Sequence, residues 1–386
     1  MTTVMLSVGD ASGDVVAADF VRELRALRPG ARFVGLGGTE MAAAGVELVA
    51  RQESLAVGGF VELLPELGGV VATWRRMVTA LRVIRPDLVV LVDSSGFNLP
   101  FAKRVRRLGI PTLYYVAPQI WGWRVGRLRK IASRVSRLAV IFPFEPDFYA
   151  GSGVPAEYVG HPLLERIESV RALDREAARE ALSLPADAPV VALLPGSRRG
   201  ELRRLLPLQL SVARVLHARD PRLVFVVPRA TSLDADSVAR VVRDAGLPGL
   251  LSLTVVDGRA QVVLRAADVA LCKPGTSTLE AALLGCPLVV AARSSWLTGR
   301  ILRRLVRVDS LTMPNLIAGK PIVPELYQEE ALPERIADAL QSLLRGPERD
   351  RQLEELRVVR ESLSRGGAAR RAAEIASGMI VERLAA

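Results

Sequence analysis

Short apolar runs alternate with amphipathic stretches from the first residues onward: VMLSV, then GDASGDVVAADFVRELRAL, then ARFVGL. The same grammar returns in DLVVLVD (87–93), FNLPFAKRVRRLG (97–109) and PTLYYV (111–116). Apolar runs bounded by Gly, Pro and Asp predict strands buried on both faces, and the helical-period stretches between them predict crossover helices, so a parallel sheet is expected. Residues 162–188 are polar and helical with prolines near both ends, and after them the alternation restarts with VVALLPGSRRGELRRLLPLQLSVARVL. It continues through RLVFVV, LSLTVV, DVALCKPGTSTLEAALLG and PLVVAA, and from about Pro333 the chain is helical and charge-laced.

The pattern predicts an α/β protein of two doubly wound, Rossmann-like domains facing a cleft: 1–165, 166–340, and C-terminal helices over 341–386 that can pack back on the first domain. One segment differs in kind. Read as a helix, 57–84 gathers Leu63, Leu64, Leu67, Val70, Val71 and Trp74 on one broad face, with Arg75, Arg76 and Arg82 near its far end. Such a stripe fits either a membrane interface or an ordinary core.

Composition sharpens this. The 386 residues are 50% hydrophobic and only 5% aromatic, and the formal charge of +11 is carried almost wholly by Arg, with Lys at 103, 130, 273 and 320 alone. Phosphorylated substrates, anionic lipid and nucleic acid all answer that charge, as does an Arg-biased genome with no function attached. Scattered arginines without interleaved aromatics or a reader motif argue against nucleic acid. Two cysteines, Cys272 and Cys286, lack metal spacing, and two histidines, His161 and His217, leave little for a triad or a His-rich metal site. No metal or cofactor is expected. With no basic leader and no run of about 18 apolar residues, a cytoplasmic protein that does not span a membrane is expected.

The candidate chemistry lies in turns at the carboxyl ends of predicted strands, where open α/β sheets bind ligands. GLGG (35–38) lacks the third glycine of a dinucleotide fingerprint and reads as a turn. In GDASGD, Asp10, Ser12 and Asp14 suit either a sugar hydroxyl or a helix cap. In PGSRRGE, Gly196 and Ser197 open a helix that Arg198 and Arg199 follow. Free amides, the dipole and an arginine fork suit a diphosphate, whereas a design for stability alone would avoid first-turn cations that cost about 0.3–1 kcal/mol each. In KPGTSTLEAALLG, Gly275 and Thr276 could approach phosphate and Glu280 a ribose, or Thr276 and Glu280 could cap the helix. Asn315 in MPNLIAG could contact a ligand or its own backbone. Asp93 ends the run VVLVD.

In this order the motifs GDASGD, LAVGGFVELLP, PDLVVLVDSSGFN, YYVAPQIWGWR, FPFEPDFY, VGHPLLE, LLPGSRRGE, GTSTLEAALLGCPLVV and PNLIAG resemble the lipid A disaccharide synthase family, inverting glycosyltransferases of GT-B architecture, over nearly the whole chain. The resemblance implies transfer of 2,3-diacylglucosamine from its UDP derivative to the 6-hydroxyl of 2,3-diacylglucosamine 1-phosphate, a β-1,6 linkage, with loss of UDP. It implies that Gly196, Ser197, Arg198, Gly275, Thr276, Glu280 and Asn315 hold the UDP-sugar donor, without a metal. Ser12, Asp14 and Asn98 would receive the acylated sugar phosphate acceptor, and Asp93 or Asp10 would act as base. Leu63, Leu64, Leu67 and Trp74 would contact an anionic membrane surface, placing the protein peripherally on the inner face of the cytoplasmic membrane. A homodimer is left open.

The family usually writes D-x-x-D-F-N after the strand DLVVLVD, and its second Asp is the usual candidate base; here that position is Gly96. Glu usually stands where this chain has Asp10, and Ser where it has Pro274. Three readings follow: Asp93 or Asp10 serves as base, the acceptor differs, or the chain is a non-catalytic nucleotide-sugar-binding homologue.

Overall fold

The computed structural model describes residues 1–52, 63–118, 120, 125–246, 252–293 and 310–385, with side chains from 68 onward in the second stretch. The chain divides into two units, Met1–Pro162 with Arg365–Ala386, and Leu163–Ser364.

In the first unit β1 (Thr3–Val8), β2 (Arg32–Gly37), β3 (Glu47–Arg51), β4 (Leu88–Val92), β5 (Thr112–Tyr115), β6 (Arg137–Val140) and β7 (Ala156–Tyr158) form one sheet in the order β3-β2-β1-β4-β5-β6-β7. Every pair is parallel. Helices cover both faces, which is why β4 is buried along its whole length and reads as unbroken LVVLV. GLGG is not simply a turn, because its first three residues finish β2. At Gly35 a β-carbon would stand 2.1 Å from the carbonyl oxygen of Leu6, so only glycine lets β2 lie against β1 there. The strand order reverses between β1 and β4, whose register runs from Val4↔Leu88 to Val8↔Val92. Asp10 and Asp93 follow those two strands and therefore emerge at the same sheet edge, at the topological switch point.

The apolar helix forms over Leu63–Ile84. Its buried side carries Thr73, Met77 and Leu81. Trp74, a residue of the expected membrane contact, is half-buried: its ring lies 5.5 Å from that of Phe97 and 6.2 Å from that of Phe101, both edge-on, in the helix Ser95–Arg107. An indole with two aromatic neighbours in reach gains more from packing than from solvent. Leu63, Leu64 and Leu67, which carry the same expectation, have side chains outside the described residues. Arg75, Arg76 and Arg82 are exposed. Among the described residues no helix is long and apolar enough to cross a membrane.

The second unit repeats the plan with β8 (Val190–Leu194), β9 (Val224–Arg229), β10 (Ser252–Asp257), β11 (Val269–Cys272), β12 (Leu288–Ala292) and β13 (Glu325–Tyr327), all parallel, in the order β10-β9-β8-β11-β12-β13. Its switch point lies between β8 and β11, where Leu194 pairs with Cys272. From the helix Arg199–Arg219, Leu202, Leu206, Leu210, Ala213 and Leu216 recur at helical spacing and are all buried. Each such leucine contributes about 1.5–3 kcal/mol, which fixes the start of this helix under the β8 turn.

The helices Pro333–Ser342 and Pro347–Ser362 stay with the second unit, and Ala368–Ala385 completes the first. This last helix lies along Ala11–Leu27, where Arg28 donates to the hydroxyl and carbonyl oxygens of Ser377, each at 3.0 Å. The returning chain passes Gly160, where a β-carbon would meet the carbonyl oxygen of Arg365 at 2.1 Å.

Candidate active site

At the first switch point Asp10 caps the helix Ala11–Leu27, accepting from the amide of Gly13 at 2.7 Å and the hydroxyl of Ser12 at 2.9 Å. Ser12 itself is exposed. Asp14 points elsewhere. It is buried and accepts three amides, from Gly38 at 2.6 Å, Glu40 at 2.9 Å and Met41 at 3.4 Å, so its carboxylate anchors the turn after β2.

Asn98 is also consumed by the chain. Its carbonyl oxygen accepts from the Ser7 hydroxyl at 2.7 Å, and its amide donates to the carbonyls of Ser7, Val92 and Asp93 at 3.2, 3.0 and 2.9 Å. One buried side chain thus ties the ends of β1 and β4 together. Asp93 and Ser94 need that tie, since both adopt left-handed backbone, with φ of 45° and 43°. Non-glycine residues in that region cost about 1–3 kcal/mol each and persist only where their surroundings hold them. A second tie comes from Tyr114, whose hydroxyl donates to the Asp93 carbonyl at 2.5 Å.

The strained turn leaves the Asp93 carboxyl half-buried beside Asp10. Burial first, and the negative charge of Asp10 second, push it up to about 6, against the stabilising amide of Ser94. A carboxylate with that affinity for a proton can act as a general base near neutral pH. Gly96, three residues on, is exposed in the first turn of the next helix, and a β-carbon there would meet nothing within 4 Å. Space does not explain the glycine.

At the second switch point Gly196 and Gly275 take φ of 118° and 141°, turning the chain sharply from β8 and β11 into their helices. Ser197, Arg198 and Thr276 are exposed around them. Glu201 sits inside the first turn and accepts from the amides of Ser197 at 3.1 Å and Arg198 at 3.4 Å. Lys273 reaches from the end of β11 to within 3.3 Å of the same carboxylate. In the second turn Thr278 bonds the Gly275 carbonyl at 2.8 Å, while the buried Ser277 hydroxyl has no partner. Glu280 accepts from Gln261 at 3.0 Å, and burial raises its proton affinity.

Asn315 is not at this edge's disposal. Its amide donates to the Val323 carbonyl at 2.9 Å and to Glu325 at 2.8 Å, and its oxygen accepts from Ile322 at 2.8 Å and Val323 at 2.7 Å, so it rivets the loop leading to β13. A cavity of about 570 Å³ lies at the opposite edge of this sheet, before β8 and β11. There Asp268 accepts from Arg175 at 2.6 Å, Arg179 at 2.8 Å and the Val190 amide at 2.7 Å, a clamp that closes the domain's base.

Sequence reading singled out Asp93, Asp10 and the two glycine turns, and the fold brings the members of each pair to one sheet edge. It missed Tyr114, Glu201 and Gln261. A capping-box glutamate three residues after Arg198 was a signal for Glu201, and a tyrosine inside a buried strand, which needs a partner for its hydroxyl, was one for Tyr114.

Comparison with known proteins agrees with this layout. A family model described as lipid-A-disaccharide synthetase matches residues 4–378. The lipid-A-disaccharide synthase of Syntrophus aciditrophicus is 40% identical over 378 residues, 98% of this chain and 97% of that protein. That of Anaeromyxobacter sp. strain K is 43% identical with the same coverage. Among solved structures, UDP-GlcNAc 2-epimerase from Neisseria meningitidis bound to UDP-GlcNAc superposes with a TM-score of 0.67 at 13% identity, over 98% of this chain and 100% of that one. The glycotransferase of kitacinnamycin gives 0.61 at 19% identity, over 98% of each. At such identities the structures establish the GT-B type of fold alone. Family model and relatives, each spanning almost the entire chain, settle the rest: the chain belongs to the lipid-A-disaccharide synthase family of hexosyltransferases.

Proposed function

We propose that this chain performs its family's transfer with Asp93 as the general base. The 6-hydroxyl of 2,3-diacylglucosamine 1-phosphate gives its proton to Asp93 as its oxygen attacks the anomeric carbon of UDP-2,3-diacylglucosamine. The bond from that carbon to the diphosphate breaks, the configuration inverts and UDP leaves. The observation that carries this reading is the half-buried Asp93 carboxyl, raised to about 6 beside Asp10 and fixed by Asn98 and Tyr114 at the first switch point. Burial, and after it the charge of Asp10, keeps the proton affinity of Asp93 high, and the exposed Ser12, whose hydroxyl donates to Asp10, has lone pairs left to accept from a hydroxyl of the acceptor sugar.

On the donor side, Arg198 and the amides around Gly196, Ser197, Gly275 and Thr276 hold the diphosphate and spread its growing charge, and Glu280 takes the ribose hydroxyls. Asp14, Asn98 and Asn315 act on both substrates indirectly, as struts for the turns. The experiment is Asp93→Asn: UDP should bind as to the wild type while turnover falls by about 100-fold or more, the usual reach of a general base. Turnover within a few-fold of wild type would remove Asp93 from the mechanism.

Both substrates are lipids, and the exposed Arg75, Arg76, Arg82, Lys103, Arg104, Arg106 and Arg107 of two neighbouring helices support docking on the anionic inner face of the cytoplasmic membrane. Sedimentation with vesicles containing phosphatidylglycerol should carry the protein down at low salt and release it at high salt. Equal sedimentation with neutral vesicles would contradict this.

A further inference from the structure

Lys273 stands where the two glycine turns of the second sheet meet. A β-carbon at Gly196 would lie 2.9 Å from its Cδ, and one at Gly275 would lie 3.0 Å from its Nζ. The ammonium bonds the Pro274 carbonyl at 3.1 Å and lies 3.3 Å from Oε1 of Glu201. The other oxygen of Glu201 takes the amides of Ser197 and Arg198, and the Arg198 guanidinium stands 3.8 Å from Oε1. One carboxylate therefore gathers two helix-start amides and two cations, the donor set that a phosphate group uses.

Helix capping alone does not account for this. A capping glutamate needs the amides but not a lysine from another strand, and a partly exposed ion pair contributes only about 0–1 kcal/mol. Lys273 and Glu201 keep 21% and 24% of their side chains exposed, enough for a solute to reach them. We infer that Lys273 binds the diphosphate of the donor and that Glu201 is its internal counter-anion, which the diphosphate displaces from the lysine and the amides. This rests on the nucleotide reading given above for the same turns.

Opposite signs follow for the two residues. Removing Lys273 removes a charge-assisted contact to phosphate, and removing the charge of Glu201 removes a competitor. Calorimetric titration of the full chain with UDP and with uridine tests both, with melting curves to confirm folding. Lys273→Met should weaken UDP about tenfold or more and leave uridine unchanged. Lys273→Arg should recover most of the loss, and Glu201→Gln should bind UDP several-fold more tightly. UDP affinity unchanged in Lys273→Met, an equal loss for uridine, or weaker UDP binding in Glu201→Gln would overturn the inference. Arg198→Ala separates the two levels: if it loses UDP while Lys273→Met does not, only the lysine assignment fails. If the wild type does not bind UDP, the nucleotide reading fails with it.

Discussion

At the scale of single residues, the burial that raises the proton affinity of Asp93, and so suits it to the proposed role of base, makes its charge a cost to the fold. Its proton affinity is raised from the ordinary 3.8 to about 6, so the folded protein binds this proton more tightly than the unfolded chain does. Below pH 3.8 both states are protonated and nothing is lost; stability declines as pH rises from 3.8 to about 6 and the penalty is complete above that. The rise from 3.8 to about 6 corresponds to about 3 kcal/mol, reduced to roughly 1–2 kcal/mol for a carboxyl that is only half-buried. Asp93→Asn should therefore unfold at higher urea than the wild type at pH 8 and at the same urea at pH 3. An equal midpoint at pH 8 would mean that the carboxyl is not destabilised there. Gly96 adds a second point, because a β-carbon there would meet nothing within 4 Å.

At the scale of elements, the candidate site consists of turns held by side chains that are committed to the backbone. Asn98 is the clearest case: Asn98→Ala would leave the Ser7 hydroxyl and three carbonyls short of a partner and release two left-handed residues. We expect a loss of about 1–3 kcal/mol in urea unfolding together with a fall in kcat that exceeds the change in KM for either substrate, since the base moves while the binding turns remain. Loss of stability with kcat intact would show that Asp93 does not depend on this tie. Such struts also mark the limit of what could be read from sequence. The alternation of VMLSV, DLVVLVD and VVALL with amphipathic stretches specified strands, helices and the edge where ligands bind, because burial on both faces of a parallel sheet leaves a long apolar signature. For Asp14, Asn98 and Asn315 sequence alone does not separate a ligand contact from a bond to the backbone, because short polar side chains at a strand end can make either and the residue types are the same in both cases. The stripe around Trp74 is a related case: it is visible in the sequence, but the aromatic partners Phe97 and Phe101 that pack against the indole lie on another helix.

At the scale of the whole molecule, two parallel sheets each gather polar groups at a switch point, the first the carboxyls of Asp10 and Asp93, the second the turns at Gly196 and Gly275 with Arg198 and Lys273 beside them. The sequence pattern puts the first boundary between 165 and 166 and the C-terminal helices at 341–386, whereas the contacts divide the chain between Pro162 and Leu163 and keep the helix Pro347–Ser362 in the second unit. The return of Ala368–Ala385 to the first unit had only a weak trace, because that helix is short of distinguishing pattern and its partner, Ala11–Leu27, lies at the other end of the chain. Charge belongs to this scale too, since the excess of +11 suits a diphosphate donor, a phosphorylated acceptor and an anionic surface together. The most direct test of the account is UDP release by the purified protein, supplied with UDP-2,3-diacylglucosamine, with 2,3-diacylglucosamine 1-phosphate, and with both. It predicts UDP together with an acylated disaccharide phosphate only when both lipids are present, at a rate that falls away as pH drops below about 6. UDP release from the donor alone, or none with both fresh substrates, would contradict it.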